Sequence, residues 1–362
     1  ERIFSADLGD SLAAILRAGV RDSAFPGAVA VVGTRDGATL SVSAGSLDWS
    51  TSPGPDSTTL WDLASLTKVV GLTSALMLLV ESGHVDLAAP VQRYLPEFRG
   101  GGKESVTVHH LLTHSSGLPS WRPLYKETET PAEALALAIA TPLDTTPGAR
   151  MVYSDLGAII LGEIVARASG RPFDAFVTER VFAPLGMRET MFRPTDGLRP
   201  RIAPTEVDPW RQRHLRGEVH DENAFALGGV SSHAGLFSTA RDLVRLARMY
   251  LGDGVLDGRR FVARETIDRF TSVQEPALSH RALGWETPNG TNSAGRLMSP
   301  RSFGHTGFTG TSFWVDRERG VFVILLSNRV NPTREHRGIT GVRTAVADAV
   351  MRAVTRDRDG LR

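Results

Sequence analysis

Ser65 and Lys68 stand three residues apart in Ser65-Leu66-Thr67-Lys68, at the head of the apolar run Val69–Val80. At about 100° per residue, that spacing puts both side chains on one helix face. An ammonium inside an apolar helix is costly to bury, and desolvation favours its neutral form. Lys68 is therefore expected to have a lowered pKa and to act as a base on the Ser65 hydroxyl. The helix N-terminus adds free N–H groups for a developing oxyanion. The plainer alternative is a capping serine and a lysine that snorkels to solvent.

Tyr153, in Val152-Tyr153-Ser154-Asp155, precedes a second apolar helix. A phenol beside a lysine and a helix N-terminus could have a lowered pKa and accept the Ser65 proton. It could equally be a half-buried tyrosine bonded to a carbonyl. The third segment is Gly304-His305-Thr306-Gly307-Phe308-Thr309-Gly310. Small residues around one histidine suit an edge strand that a substrate backbone can approach closely. Taken alone, it is as readily a glycine-rich bend with a structural histidine.

Around these groups the composition closes several routes. The 362 residues carry 41 Lys plus Arg against 40 Asp plus Glu, a net charge of +1. No overall field favours nucleic acid or an anionic membrane. With no cysteine, disulfides, thiolate metal sites and a cysteine nucleophile are excluded. No stretch reaches the ~18 apolar residues expected of a bilayer-spanning helix. Lysine is rare: Lys68, Lys103 and Lys126 are the three, beside four tyrosines. The chain begins at Glu1, which fits a removed leader as well as one never included.

The positioning elements follow from periodicity. Leu8, Leu12, Ile15 and Leu16 predict a helix over 7–19. Alternation around Asp36-Gly37 predicts a hairpin over 27–45, and a second hairpin brackets 316–320. Helices are expected over 66–82, over 155–169 (capped by Ser154 or Asp155 and stopped at Gly170), over 240–251 with Ser238 as cap, and over 339–354. Loops are expected at 116–131, 141–150 and 284–302. Strands at both ends imply one sheet built from both chain ends, with a mostly helical insertion between them.

Taken together, Ser65-Leu66-Thr67-Lys68, Tyr153-Ser154-Asp155 and His305-Thr306-Gly307 resemble the three-part signature of the serine β-lactamase and penicillin-binding-protein superfamily. The likeness is to its class C β-lactamase-like branch, which includes esterases, D-aminopeptidases and cell-wall amidases. Phe25-Pro26-Gly27, Leu111–Leu118, Pro147-Gly148 and Pro184–Met187 extend it over about residues 20–350. The resemblance implies an α+β fold, with an antiparallel sheet flanked by helices plus a mostly helical lobe. It implies one catalytic unit over 1–362, with an α/β lobe of about 1–60 and 295–362 and a helical lobe of about 61–294. Ser65 would be the acylated nucleophile, with Lys68 and Tyr153 sharing base and acid duties. The N–H groups of Ser65 and Phe308 would form the oxyanion hole. Asp155, His305, Thr306 and Gly307 would face the substrate, and Trp121 is a further candidate on the cleft wall. No cofactor is implied. The family's location favours a periplasmic or extracellular protein.

Two departures narrow the substrate. The branch's β-lactamases carry asparagine where this chain has Asp155, and an acid there would favour a charged Lys68. They also carry a carboxylate-binding lysine where this chain has His305. Small esters or amides, including peptidoglycan-derived peptides, are therefore expected ahead of β-lactams. The segment Val219–Gly235 resembles members that act on peptidoglycan fragments. A β-lactamase, a D,D-peptidase and a non-catalytic penicillin-recognising protein remain the alternatives. A metal hydrolase built on His109, His110, His114, His220, Asp221 and His233 is a rival, but it lacks H-E-x-x-H. An α/β-hydrolase would need G-x-S-x-G, which is absent.

Overall fold

Alternation along Gly27–Thr34 (β1) builds the centre of the molecule. Val29 and Val31 enter one hydrophobic cluster, while Ala28, Ala30 and Val32 enter another. A two-residue period sends neighbouring side chains to opposite faces. A strand buried on both faces must lie between two layers.

The computed structural model describes residues 4–50 and 52–359. Its main sheet adds β2 (Gly37–Gly45), β3 (Phe303–Thr306), β4 (Ser312–Asp316) and β5 (Val321–Ser327). The strand order is β3-β4-β5-β1-β2, and the neighbours are antiparallel. Val31 sits opposite Ile324 on one side and Ser41 on the other. The two chain ends thus meet at the middle of the sheet, as the two hairpins predicted.

Five helices matter for the site: α1 (Leu8–Arg21), α2 (Ser74–Glu81), α3 (Asp155–Ser169), α4 (Ala240–Leu251) and α5 (Ile339–Asp359). Leu8, Leu12 and Leu16 of α1 and Val346, Val350 and Val354 of α5 cover one sheet face. On the other face, Leu243, Leu246 and Tyr250 of α4 share a core with Phe313, Ile324 and the residues of α2 and α3. Ser154 caps α3 by accepting from the Gly157 N–H at 3.2 Å, and Gly170 ends it at φ +68°.

Four expectations need correction. The segment expected as one α-helix over 66–82 is a composite rod: a 3₁₀ turn at Ala64–Leu66, a π-helical stretch at Lys68–Thr73, then α2. The hydroxyls of Thr73 and Ser74 donate to the carbonyls of Lys68 and Val69 five residues back, which suits the wider turn. Ala64–Glu81 is also long and apolar enough, at mean hydropathy 1.5, to cross a bilayer, contrary to the expectation from sequence. With 78% of it buried inside the protein, it is a core helix. Finally, α4 is capped by Thr239, whose hydroxyl accepts from the Asp242 N–H, and not by Ser238. Ser238 ends a short strand and bonds Thr190 instead. The expected 116–131 loop also contains a helical turn at Leu124–Glu127.

Candidate active site

A backbone turn delivers Ser65. Ala64 holds φ +46°, a conformation that costs a non-glycine residue roughly 1–3 kcal/mol. It swings the chain from the short strand Trp61–Asp62 into the rod and leaves Ser65 at the tip. Asp62 fixes the turn, accepting from the Ala64 N–H at 2.8 Å and the His220 N–H at 2.7 Å.

Lys68 follows one turn deeper and is 3% exposed. Its Nζ donates to Ser65 Oγ at 2.9 Å and to the His233 carbonyl at 3.0 Å, and lies 2.7 Å from Asp155 Oδ1. Burial pushes its pKa down, but Asp155 and the Tyr153 phenol outweigh burial, and the net direction is up. The expected lowering is thus overturned by a carboxylate that the fold brings from the start of α3.

Tyr153 is sandwiched between His114 and His305, with ring centroids 4.6 and 5.8 Å away. The Lys68 ammonium lies 5.0 Å from its ring centre and the Arg281 guanidinium 5.2 Å. Burial drives the phenol pKa up, Lys68 pulls it down and Asp155 adds to the rise; the net direction is up, against the expected lowering. His114, a metal-ligand candidate of the rival reading, is instead structural: its Nδ1 accepts from the Ser154 N–H and its carbonyl from the Val152 N–H, clamping the chain on both sides of Tyr153.

The edge strand β3 completes the wall. His305 is 2% exposed and its Nδ1 donates to the Thr306 carbonyl at 2.8 Å. Its Nε2 is therefore an acceptor, buried and without a partner among the described residues. Burial, Arg281 and Lys68 hold its pKa well below the ordinary histidine range, so it is neutral near pH 7. Beyond β3 the chain is stitched to the segment before Ser65: Thr309 donates to the Asp62 carbonyl and Thr311 to that of Leu63. A Cβ on Gly307 would stand 2.3 Å from the Leu63 oxygen, so glycine is required for this approach.

Ser65, Tyr153, His305, Thr306, Gly307 and Phe308 line one cleft of about 410 Å³. Sequence reasoning missed the rest of its lining, including all four of its arginines, Arg281, Arg329, Arg337 and Arg343, and Glu286. In a chain whose default cation is arginine, none carries a local signal. Nη1 of Arg281 and Nε of Arg343 are buried and unpartnered among the described residues.

Two candidates lie elsewhere. Asp155 is behind Lys68 as its ion-pair partner rather than on the cleft wall. Trp121 is 47% exposed, with its ring tilted 6.3 Å from that of Tyr125, and does not line the cleft. Among the metal candidates, His110 caps its own helix and His109 pairs with Glu275. Asp221 and His233 do converge, with Asp155, inside 4.8 Å of one another. The cation that Asp155 holds there is the Lys68 ammonium.

A serine hydroxyl, a lysine and a phenol thus converge below an edge strand of a β-lactamase-type fold. The chain belongs to the Beta-lactamase family, whose model matches residues 12–347. A protein of Escherichia coli K12 named "Putative D-alanyl-D-alanine carboxypeptidase" is 34% identical over 303 residues, covering 75% of this chain and 69% of that protein. A penicillin-binding-protein homologue from Caulobacter crescentus superposes with a TM-score of 0.78 at 19% identity, over 97% of this chain and 98% of its own. EstCE1, a hydrolase with promiscuous acyltransferase activity, gives 0.77 at 19% identity, over 95% and 98%. At such identities the two structures speak for the fold alone.

Proposed function

We propose that the protein hydrolyses small esters or amides through an acyl-enzyme on Ser65, and that its natural substrate is a peptide ending in a free carboxylate, as in peptidoglycan stems. The observation that carries the first part is the contact of Ser65 Oγ with Lys68 Nζ at 2.9 Å, within a cleft shared with Tyr153 and Phe308. Oγ attacks the carbonyl carbon while its proton passes to the Lys68–Tyr153 pair. The carbonyl oxygen gains the electron pair and is held by the N–H groups of Ser65 and Phe308. The tetrahedral adduct collapses to the ester of Ser65, and the pair returns the proton to the leaving group. Water then repeats the sequence and frees the acid.

Arg281 supports the second part. A neutral His305 cannot hold a carboxylate by charge, but a buried guanidinium nitrogen with no partner stands in the same cleft. Guanidinium groups bind carboxylates through charge-assisted bonds. The name of the Escherichia coli relative points the same way.

Ser65→Ala is expected to abolish turnover of a nitrophenyl ester, and mass spectrometry of the wild-type protein mixed with that ester should show a Ser65 adduct that decays. Retained turnover in the variant would exclude the assignment. An adduct that never decays would favour a penicillin-recognising binding protein.

A further inference from the structure

Three of the six tryptophans, Trp61, Trp285 and Trp314, are fully buried in the core. Trp121 and Trp210 are not; they are 47% and 41% exposed. Both belong to one chain of rings outside the cleft. Between centroids, Trp121 lies 6.3 Å from Tyr125, Tyr125 4.6 Å from Trp210, and Trp210 5.9 Å from Phe225. Neighbouring planes are inclined by 54°, 68° and 82°, so the rings do not stack face to face on one another.

The ridge is assembled from three segments and held rigid. The Asn223 amide accepts from the Tyr125 N–H at 3.2 Å and donates to the Arg122 carbonyl at 2.8 Å, which joins two of them. Trp210 sits in the turn of a hairpin whose strands are Val207–Asp208 and Arg213–His214, and its N–H donates to Asp208 Oδ1 at 2.8 Å. The buried Arg211 guanidinium lies 5.9 Å from the Trp210 ring centre and 5.0 Å from that of Phe225. It is held by Asp208, Glu218 and the carbonyls of Val219 and His220. Aromatic area exposed on a fixed frame suits binding, because little ordering remains to be done when a ligand arrives.

The surroundings of the rings decide what would bind. Arg122 pairs with Glu127 and Arg213 with Glu218, while Lys126 stands 5.5 Å from the Tyr125 ring centre. Such paired charges make no strong field for an anionic lipid or a nucleic acid. A membrane or an obligate protein partner would need a continuous apolar patch. Here single ring faces alternate with ion pairs. A pyranose matches that pattern: one face of polarised C–H groups suits the negative face of an indole, and its hydroxyl rim suits the paired ions. The near end of the ridge is tied to the active site. The Pro119 carbonyl accepts from the Ser154 hydroxyl at 2.7 Å and the Ser120 carbonyl from the Asp155 N–H at 3.0 Å, directly before Trp121 and directly after Tyr153.

We propose that Trp121, Tyr125 and Trp210 form a carbohydrate platform that holds an uncharged glycan while the peptide attached to that glycan enters the cleft. The glycan class comes from the ridge itself; the attached peptide rests on the substrate reading given above.

The N-acetylglucosamine tetramer serves as probe, and calorimetric titration of the full chain reads its binding. Trp121→Ala and Trp210→Ala, shown folded by their melting curves, are each expected to weaken binding about two- to tenfold, and the double variant more. Trp210→Phe, which keeps a ring, should recover most of the loss. With peptides, kcat/KM for a stem peptide carried on its disaccharide should exceed that for the free peptide, and Trp210→Ala should narrow the gap. No binding of the tetramer at millimolar concentration, or equal binding by wild type and the double variant, would overturn the proposal. So would a ridge that instead sediments with anionic vesicles or pairs two copies of the chain, with either behaviour lost in the double variant. A wild-type enzyme that cleaves neither peptide would sink the substrate reading, and the tetramer titration would still judge the platform.

Discussion

At the residue scale, the proposed function assigns one charge of the cleft to chemistry and another to substrate selection. Lys68 is spoken for by Asp155 and the His233 carbonyl, whereas Arg281 holds an unused buried donor beside Tyr153 and His305. Arg281→Ala should therefore raise KM for a peptide with a free terminal carboxylate and barely change it for the corresponding methyl ester. Losing one charge-assisted contact is worth roughly 2–3 kcal/mol, or about 30- to 150-fold. Steady-state kinetics on the two substrates checks this; equal losses on both would mean that Arg281 supports Tyr153 rather than the carboxylate. Ser65, Lys68, Tyr153 and His305 were legible in the sequence because each is of a scarce type or sits in a short patterned segment. Arg281 was not, since it joins the site from a loop with neither feature. For Lys68 the sequence pointed both ways, desolvation in an apolar helix toward the amine and Asp155 toward the ammonium; which wins depends on an ion pair formed with a segment 87 residues away.

At the scale of elements, the segments around the cleft are held by buried polar pairs more than by regular structure. Glu206 shows this best. Its carboxylate meets His220 Nε2 at 2.9 Å and the Arg334 guanidinium at 2.8 Å, while Arg334 also reaches Glu222. The His220 N–H in turn bonds Asp62, two residues before Ala64. Burial raises the Glu206 pKa, but His220 and Arg334 overcome it and bring it to about 2, below the ordinary 4.5. A folded pKa below the unfolded one means stability that is complete above about pH 4.5 and drains as pH falls toward 2. The loss amounts to at most about 3 kcal/mol. Melting curves should show that decline in the wild-type protein, and Glu206→Gln should start less stable and fall less steeply over the same window. Parallel curves would mean that other carboxylates dominate. Such braces are invisible in sequence, where Glu206, His220 and Arg334 are unrelated polar residues. The hairpin at Asp36-Gly37 and the α3 caps were legible because period and capping are local properties. The π-helical stretch at Lys68–Thr73 was not, because a segment apolar on every side has no phase from which to read its turn.

Over the whole molecule, the antiparallel sheet makes the active site depend on the end of the chain. Strand β3, which carries His305 and leads into Phe308, is the sheet's edge; on its outer side Gly304 exchanges backbone hydrogen bonds with Glu286, both at 2.9 Å, as an isolated bridge. What steadies the turn beyond it is Arg343 of α5, whose Nη2 donates to the carbonyls of Gly307 and Thr311, both at 2.7 Å. The same helix buries Val346 and Val350 against the sheet, so its position is fixed by the outer core. Arg343→Met would keep the stem's packing and remove one of two donors from each carbonyl, since Gly310 N–H still bonds the Gly307 carbonyl and Gly307 N–H that of Thr311, at a cost of roughly 0.5–1.5 kcal/mol. The larger effect should fall on turnover. The Phe308 N–H, the proposed second oxyanion donor, follows Gly307 directly, and a shift near 1 Å in such a group costs on the order of 100-fold. The expected outcome is therefore a melting point lowered by about one or two degrees, with kcat reduced far more than KM is raised. Arg343→Lys, which can still reach one carbonyl, should recover part of both. A variant that melts early yet turns over at the wild-type rate would show that the sheet edge holds its own geometry, and that the last helix serves the core alone.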